Sequence, residues 1–109
     1  MKTHVEINKE VKAVVFNFQK WISETKPEIL KKTLTNLLDI SGYTVLNHIE
    51  HTFPNGGYTC LWLLSESHLA VHTFIAESKS YIELSGCNKE MNRIFREAFE
   101  ELFKNKIIE

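Results

Sequence analysis

An α+β fold, a two-layer sandwich with an antiparallel sheet carrying two helices on one face, is predicted by three features of this 109-residue sequence. Two segments, one after Thr25 and one after Asn88, repeat apolar residues at helical spacing. The remaining apolar runs are short, rich in β-branched and aromatic residues, and in part strictly alternating. Two of these runs are separated by Pro54-Asn55-Gly56-Gly57, a turn signal of hairpin length. The order that results is β-α-β-β-β-β-α.

Each element has its own justification. Residues 11–18, Val-Lys-Ala-Val-Val-Phe-Asn-Phe, read as a first strand. Thr25 and Glu28 have the spacing of a capping box, with Pro27 in the first turn, and predict a helix over 26–41. Leu30, Leu34, Leu37, Leu38 and Ser41 fall on its inner face, and Gly42 suits a left-handed stop. Residues 43–53 and 58–64 form the hairpin. In 69–75, Leu69, Val71 and Thr73 face one way and Ala70, His72 and Phe74 the other. Residues 81–85 alternate too, and Cys87 is expected to continue the face of Ser85 and Glu83. Asn88 is a good N-cap for the last helix, with Glu90 in its first turn. Met91, Ile94, Phe95, Ala98 and Leu102 make its apolar stripe, widened by Phe99 and Phe103.

The composition excludes several classes. The net charge of −1 offers no basic surplus for nucleic acid. The longest apolar run, 60–64, is five residues, where a membrane span needs about 20. Residues 1–10 lack the apolar stretch of a signal peptide, so a cytoplasmic location is expected. Cys60 and Cys87 make no disulfide framework in a reducing compartment. One domain over 1–109 is expected from the length. With both helices on one face, Phe74 and Tyr81 would stand on an uncovered one, and a second copy of the chain is the economical cover.

Chemistry concentrates in Ser65-Glu66-Ser67-His68-Leu69-Ala70-Val71-His72-Thr73-Phe74. His68 and His72 do not chelate one metal from a strand, because four residues span about 13 Å there; no metal is expected. Neither a Gly-x-Ser-x-Gly elbow nor a cysteine-protease signature is present.

The run Glu66-Ser67-His68-Leu69-Ala70-Val71-His72-Thr73 closely resembles the motif of the prokaryotic S-adenosylmethionine decarboxylases. The family places a histidine five residues after the serine and a cysteine twenty after it, and His72 and Cys87 keep both intervals. Upstream, His51-Thr52-Phe53-Pro54 and the Gly-rich turn resemble the family's His-x-Phe segment. The resemblance implies a self-processing enzyme that feeds polyamine (spermidine) synthesis. The Ser67 hydroxyl would attack the Glu66 carbonyl, and elimination from the ester would leave residue 67 as a pyruvoyl group, the self-derived cofactor. His72 would be the base of the elimination, Thr59 its helper, and Cys87 the acid that reprotonates the substrate. The pyruvoyl carbonyl would condense with a substrate amine and act as electron sink. Phe53 and Phe74 would sandwich an adenine, from different subunits of a homodimer, and Glu66 joins them among the substrate-binding positions.

The chain also departs from the family pattern. Phe74-Ile75-Ala76 stands where the family reads Trp-Pro-Glu, removing a ribose-binding glutamate. Glu77 is adjacent but, on a continuing strand, faces the other way. The N-terminal Gly-x-His of the family is replaced by Val11-Lys12-Ala13. Two alternatives therefore stand beside the first reading: a pyruvoyl decarboxylase of another amino acid such as arginine or ornithine, and an unprocessed, non-catalytic dimeric homologue.

Overall fold

A computed structural model describes residues 14–109. They form β1 (Phe16–Ile22), α1 (Pro27–Ser41), β2 (Val45–Thr52), β3 (Tyr58–Leu64), β4 (His68–Phe74), a 3-10 turn (Ile75–Glu77), β5 (Lys79–Gly86), α2 (Lys89–Leu102) and β6 (Ile107–Ile108). The sheet runs β2-β3-β4-β5-β1-β6, and all its pairs are antiparallel. The predicted α+β sandwich is thus observed, with the two-residue β6 added beside β1.

The first strand lies further along the chain than expected, at Phe16–Ile22; residues 11–13 fall outside the described residues. Helix α1 buries its predicted stripe of Leu30, Leu34, Leu37, Leu38 and Ser41. Its entry differs from prediction. The N-cap is Lys26, and no capping box forms between Thr25 and Glu28. The Glu24 carboxylate instead accepts from the backbone N–H groups of Thr25 (3.1 Å) and Lys26 (3.0 Å) and from Lys106 Nζ (2.9 Å). At the other end Gly42 takes φ 92°, and the Gly42 and Tyr43 N–H groups bond back to Asp39 and Leu38.

Helix α2 starts as predicted, with the Asn88 side chain accepting from Met91 N at 2.9 Å. Its stripe is rotated from the expected one. Asn92, Phe95, Phe99 and Phe103 are buried, while Leu102 is 53% exposed. Phe18 packs edge-on against Phe95 (5.8 Å) and Phe99 (5.0 Å), tying β1 to the helix.

Strand alternation divides the sheet. Tyr58, Cys60, Trp62, Leu64, Leu69, Val71, Ile82 and Leu84 point toward the helices and are buried. Thr59, Leu61, Leu63, Ala70, His72, Phe74, Tyr81 and Glu83 occupy the face without helices. There Trp21 stacks at a tilt on Tyr81 (5.1 Å) and Phe74 (5.6 Å), with Lys79 Nζ 4.3 Å from its ring centre.

Candidate active site

The Glu66–Ser67 bond sits at a hairpin tip. Leu63 pairs with His68, and Leu64 N donates to Ser67 O at 3.0 Å, so only Ser65 and Glu66 make the loop between β3 and β4. Ser67 is half-buried, while Glu66 is exposed. Across the sheet, β5 ends at Gly86 beside Ser67. A Cβ on Gly86 would stand 2.6 Å from Ser67 Oγ, closer than real contacts allow, so the serine occupies that space because residue 86 has no side chain.

Cys87 is not on the strand face predicted for it. β5 stops at Gly86, and Cys87 lies exposed in the bend leading to the Asn88 cap. That bend turns the thiol toward the hairpin, where Sγ donates to Glu66 Oε1 at 3.2 Å. This hydrogen bond, with slight desolvation and the charge of the same carboxylate, pushes the thiol above its ordinary pKa of 9.0. Cys87 is accordingly a protonated acid at neutral pH rather than a thiolate nucleophile.

A second cluster lies on the open face. Thr59 and His72 are register partners across β3 and β4, and Thr59 Oγ1 is 3.1 Å from His72 Nδ1. When Nδ1–H is the donor, Nε2 is left as a free base. The two clusters do not meet within one chain. Ser67 and His72 are five residues apart along an extended segment, about 16 Å at the usual strand rise.

Phe53 and Phe74 are each 46% exposed and line one pocket of about 460 Å³, together with Gly57, Thr73, Ala76 and Glu77. Both rings thus border the same hollow of this chain. Glu77 also departs from expectation. The chain leaves the strand at Ile75, forms a 3-10 turn and takes φ 54° at Ser78, so Glu77 faces this same pocket. Its carboxylate is 3.4 Å from Lys79 Nζ. Among the described residues no group of three His, Cys, Asp or Glu side chains is arranged to hold a metal ion, and no helix is long and apolar enough to cross a membrane.

Two residues at the site carried no mark in the sequence as functional: Gly86, which makes room for Ser67, and Tyr43, whose ring borders the pocket of Glu66, Ser67 and Cys87. Tyr43 read only as the start of a strand, because its neighbours at the site lie more than twenty residues away in sequence.

Fold and site together define a small α+β protein with a Glu-Ser hairpin, a protonated thiol beside it, and an imidazole-hydroxyl pair on the bare side of its sheet. The family model for S-adenosylmethionine decarboxylase matches residues 12–109, and the chain belongs to that family. It is 36% identical over 61 residues to the S-adenosylmethionine decarboxylase proenzyme of Prochlorococcus marinus strain MIT 9313, covering 56% of this chain and 49% of that protein. To the S-adenosylmethionine decarboxylase proenzyme 2 of Bacillus anthracis it is 40% identical over 58 residues, covering 53% and 47%. The chain thus spans about half the length of the curated relatives it matches. The crystal structure of the adenosylmethionine decarboxylase from Aquifex aeolicus VF5 shares the fold, with a TM-score of 0.72, 13% identity, and coverage of 86% of this chain and 83% of that one.

Proposed function

We propose that this chain is a self-processing decarboxylase of S-adenosylmethionine, cut by its own Ser67 and working as a homodimer. The observation that carries this reading is the hairpin tip: the Glu66–Ser67 bond, the Cys87 thiol bonded to Glu66, and the absence of a side chain at residue 86.

The residues around position 67 fit a pyruvoyl group. Gly86 leaves space for an oxygen at that position, and a neutral acid stands next to it. Such a group supplies an electron sink for loss of carbon dioxide from a bound amino acid. Everything else falls to ordinary side chains. The Ser67 hydroxyl attacks the carbonyl of Glu66, moving the acyl chain from nitrogen to oxygen without net loss of atoms. His72, steadied by Thr59, removes the Cα proton of residue 67 that breaks the ester. Cys87 holds the proton to be returned to the substrate carbon. Phe53 and Phe74 offer aromatic faces for a planar base.

The separation of the two clusters supports the homodimer. One chain's imidazole does not reach its own Ser67, whereas a two-fold that packs the bare faces together offers each His72 to the partner's hairpin and does so twice. Ile49, Leu61 and Leu63, at 71%, 41% and 54% exposure, are the apolar surface such packing covers.

A second reading keeps the cleavage and changes the substrate. Ala76 supplies no carboxylate for ribose hydroxyls, and the Glu77 carboxylate that faces the pocket is paired with Lys79 Nζ at 3.4 Å, which favours an amino acid such as arginine or ornithine. Carbon dioxide release from carboxyl-labelled S-adenosylmethionine, arginine and ornithine separates the two. Release from the sulfonium substrate at a rate at least tenfold above the others is the expected outcome; release from arginine or ornithine alone would replace the first reading with the second. In denaturing mass spectrometry we expect two fragments with a break before residue 67. An intact 12.7 kDa chain under conditions that preserve the fold would instead mark an unprocessed, non-catalytic homologue.

A further inference from the structure

Among the described residues, buried polar side chains are almost all satisfied. Ser41 Oγ donates to Leu37 O and Ser80 Oγ to Glu24 O, each at 2.6 Å; Tyr58 Oη donates to Glu50 at 2.6 Å and Trp62 Nε1 to Thr35 at 3.1 Å. Tyr43 is the exception. It is 7% exposed, and its Oη is the one buried side-chain nitrogen or oxygen among the described residues without a hydrogen-bond partner. An unpaired buried hydroxyl costs about 1–3 kcal/mol, and phenylalanine would avoid that cost while keeping the ring.

The hydroxyl also lies close to the Glu66–Ser67 hairpin. Tyr43 lines the pocket shared by Glu66, Ser67 and Cys87. A Cβ on Gly86 would lie 2.6 Å from Ser67 Oγ and 3.3 Å from Tyr43 Oη, so the two oxygens flank the same point. The main chain holds the ring in place: Tyr43 follows the left-handed Gly42, and its N–H is anchored to Leu38 O at 3.0 Å.

We propose that the Tyr43 hydroxyl is a further catalytic donor in the self-cleavage, bonding the Glu66 carbonyl oxygen as Ser67 attacks it. The proposal rests on the reading of Ser67 as the cleavage nucleophile. In the step concerned, the Ser67 Oγ–carbon bond forms and the Glu66 carbon–nitrogen bond breaks. The serine proton ends on the released amine, and the former carbonyl oxygen carries negative charge only between the two. Tyr43 lends a hydrogen bond to that oxygen and keeps its proton throughout. Burial, helped by the neighbouring Cys87, pushes the phenol above its ordinary pKa of 10.0, so it remains a neutral donor near physiological pH. A donor aimed at charge that exists only in the transition state is expected to stand unpaired beforehand.

The test is Tyr43→Phe in the full chain, with cleavage followed by denaturing mass spectrometry and the unfolding midpoint measured on the same samples. The expected result is cleavage slowed at least tenfold, toward the roughly 100-fold typical of losing one such donor, with a midpoint unchanged or raised. Cleavage at the wild-type rate would overturn the proposal while leaving the role of Ser67 intact. Slow cleavage with a lowered midpoint would also overturn it, since an unpaired hydroxyl has no bond to lose. A wild-type chain that stays whole, like Ser67→Ala, would instead bring down the cleavage reading and this proposal with it.

Discussion

The two faces of the sheet are built from the same strands and follow opposite rules. On the helix side Leu69, Val71, Ile82 and Leu84 are fully buried against Leu34, Leu38, Phe95 and Phe99. One residue along each strand, the other side presents Thr59, His72, Tyr81 and Glu83 with half-exposed surfaces, and beside them Leu61 and Leu63 open to solvent. Period-two alternation therefore lets one short strand fill the core through one parity and present an open surface through the other. Substitutions on the first side should act on the folding of the single chain, and those on the second on cleavage and association.

The sharpest way to break this comparison is to divide the chemistry between chains. Ser67→Ala and His72→Ala should each abolish cleavage alone. When the two are mixed under conditions that exchange subunits, the His72→Ala chain should regain cleavage, using the imidazole of its neighbour. No fragments after mixing, despite demonstrated exchange, would remove the shared site. Next in size, Phe95→Ala on the helix side should cost about 3–5 kcal/mol in denaturant unfolding. Leu63→Ala on the bare side should cost under about 1 kcal/mol in a dilute monomer, yet weaken self-association in sedimentation. Equal losses from both would erase the distinction drawn between the faces.

Gly86→Ala tests the hairpin. The added methyl would intrude on Ser67 Oγ, and cleavage is expected to fall about 100-fold with the fold kept, since a small misplacement of reacting atoms has effects of that order. Glu24→Gln should be milder, about 1–3 kcal/mol at pH 7. Burial alone would raise the Glu24 pKa, but Lys106 and the N–H groups of Lys26 and Thr25 outweigh it and hold the carboxyl below its ordinary 4.5. Its stabilisation is thus present above pH 4.5 and is lost as pH falls through the lower folded value. The stability gap between the wild-type chain and Glu24→Gln should close in acid. The smallest effect is on Cys87. Glu66→Gln, made in the Ser67→Ala background, removes the carboxylate that raises the thiol pKa, so alkylation near pH 8 should speed up. An unchanged rate would detach Glu66 from the thiol.

Much of the fold was legible because its signals are local. The leucine stripe of α1, the Pro54–Gly57 turn and the Asn88 cap each depend on residues within a few positions of one another. The misreadings arose where a longer-range partner decided. Glu24 serves the start of α1 because Lys106, far along the chain, meets it there, and so the capping box of Thr25 and Glu28 is not used. The α2 stripe ends on Phe103 rather than Leu102, since Phe103 packs at a tilt against Phe99, ring centres 4.8 Å apart. Cys87 left the predicted strand because Gly86 ends β5 next to the hairpin. At the site, the Ser67, His72 and Cys87 intervals were readable as a motif, whereas the Thr59–His72 contact follows from the strand register of β3 and β4. The closeness of Tyr43 to Ser67 arises only once α1 has been laid across the sheet.

The strand order has a consequence for a chain cut before residue 67. The segment up to Glu66 would carry β1, β2 and β3, and the segment from Ser67 would carry β4, β5 and β6. In the sheet these alternate like laced fingers: β4 and β5 are clasped between β3 and β1, and β1 is itself gripped between β5 and β6. Three ladders of backbone hydrogen bonds would bind the halves to each other. Nicking would then release no piece, and the severed protein would migrate, bind and melt as one body until the lacing is pulled apart.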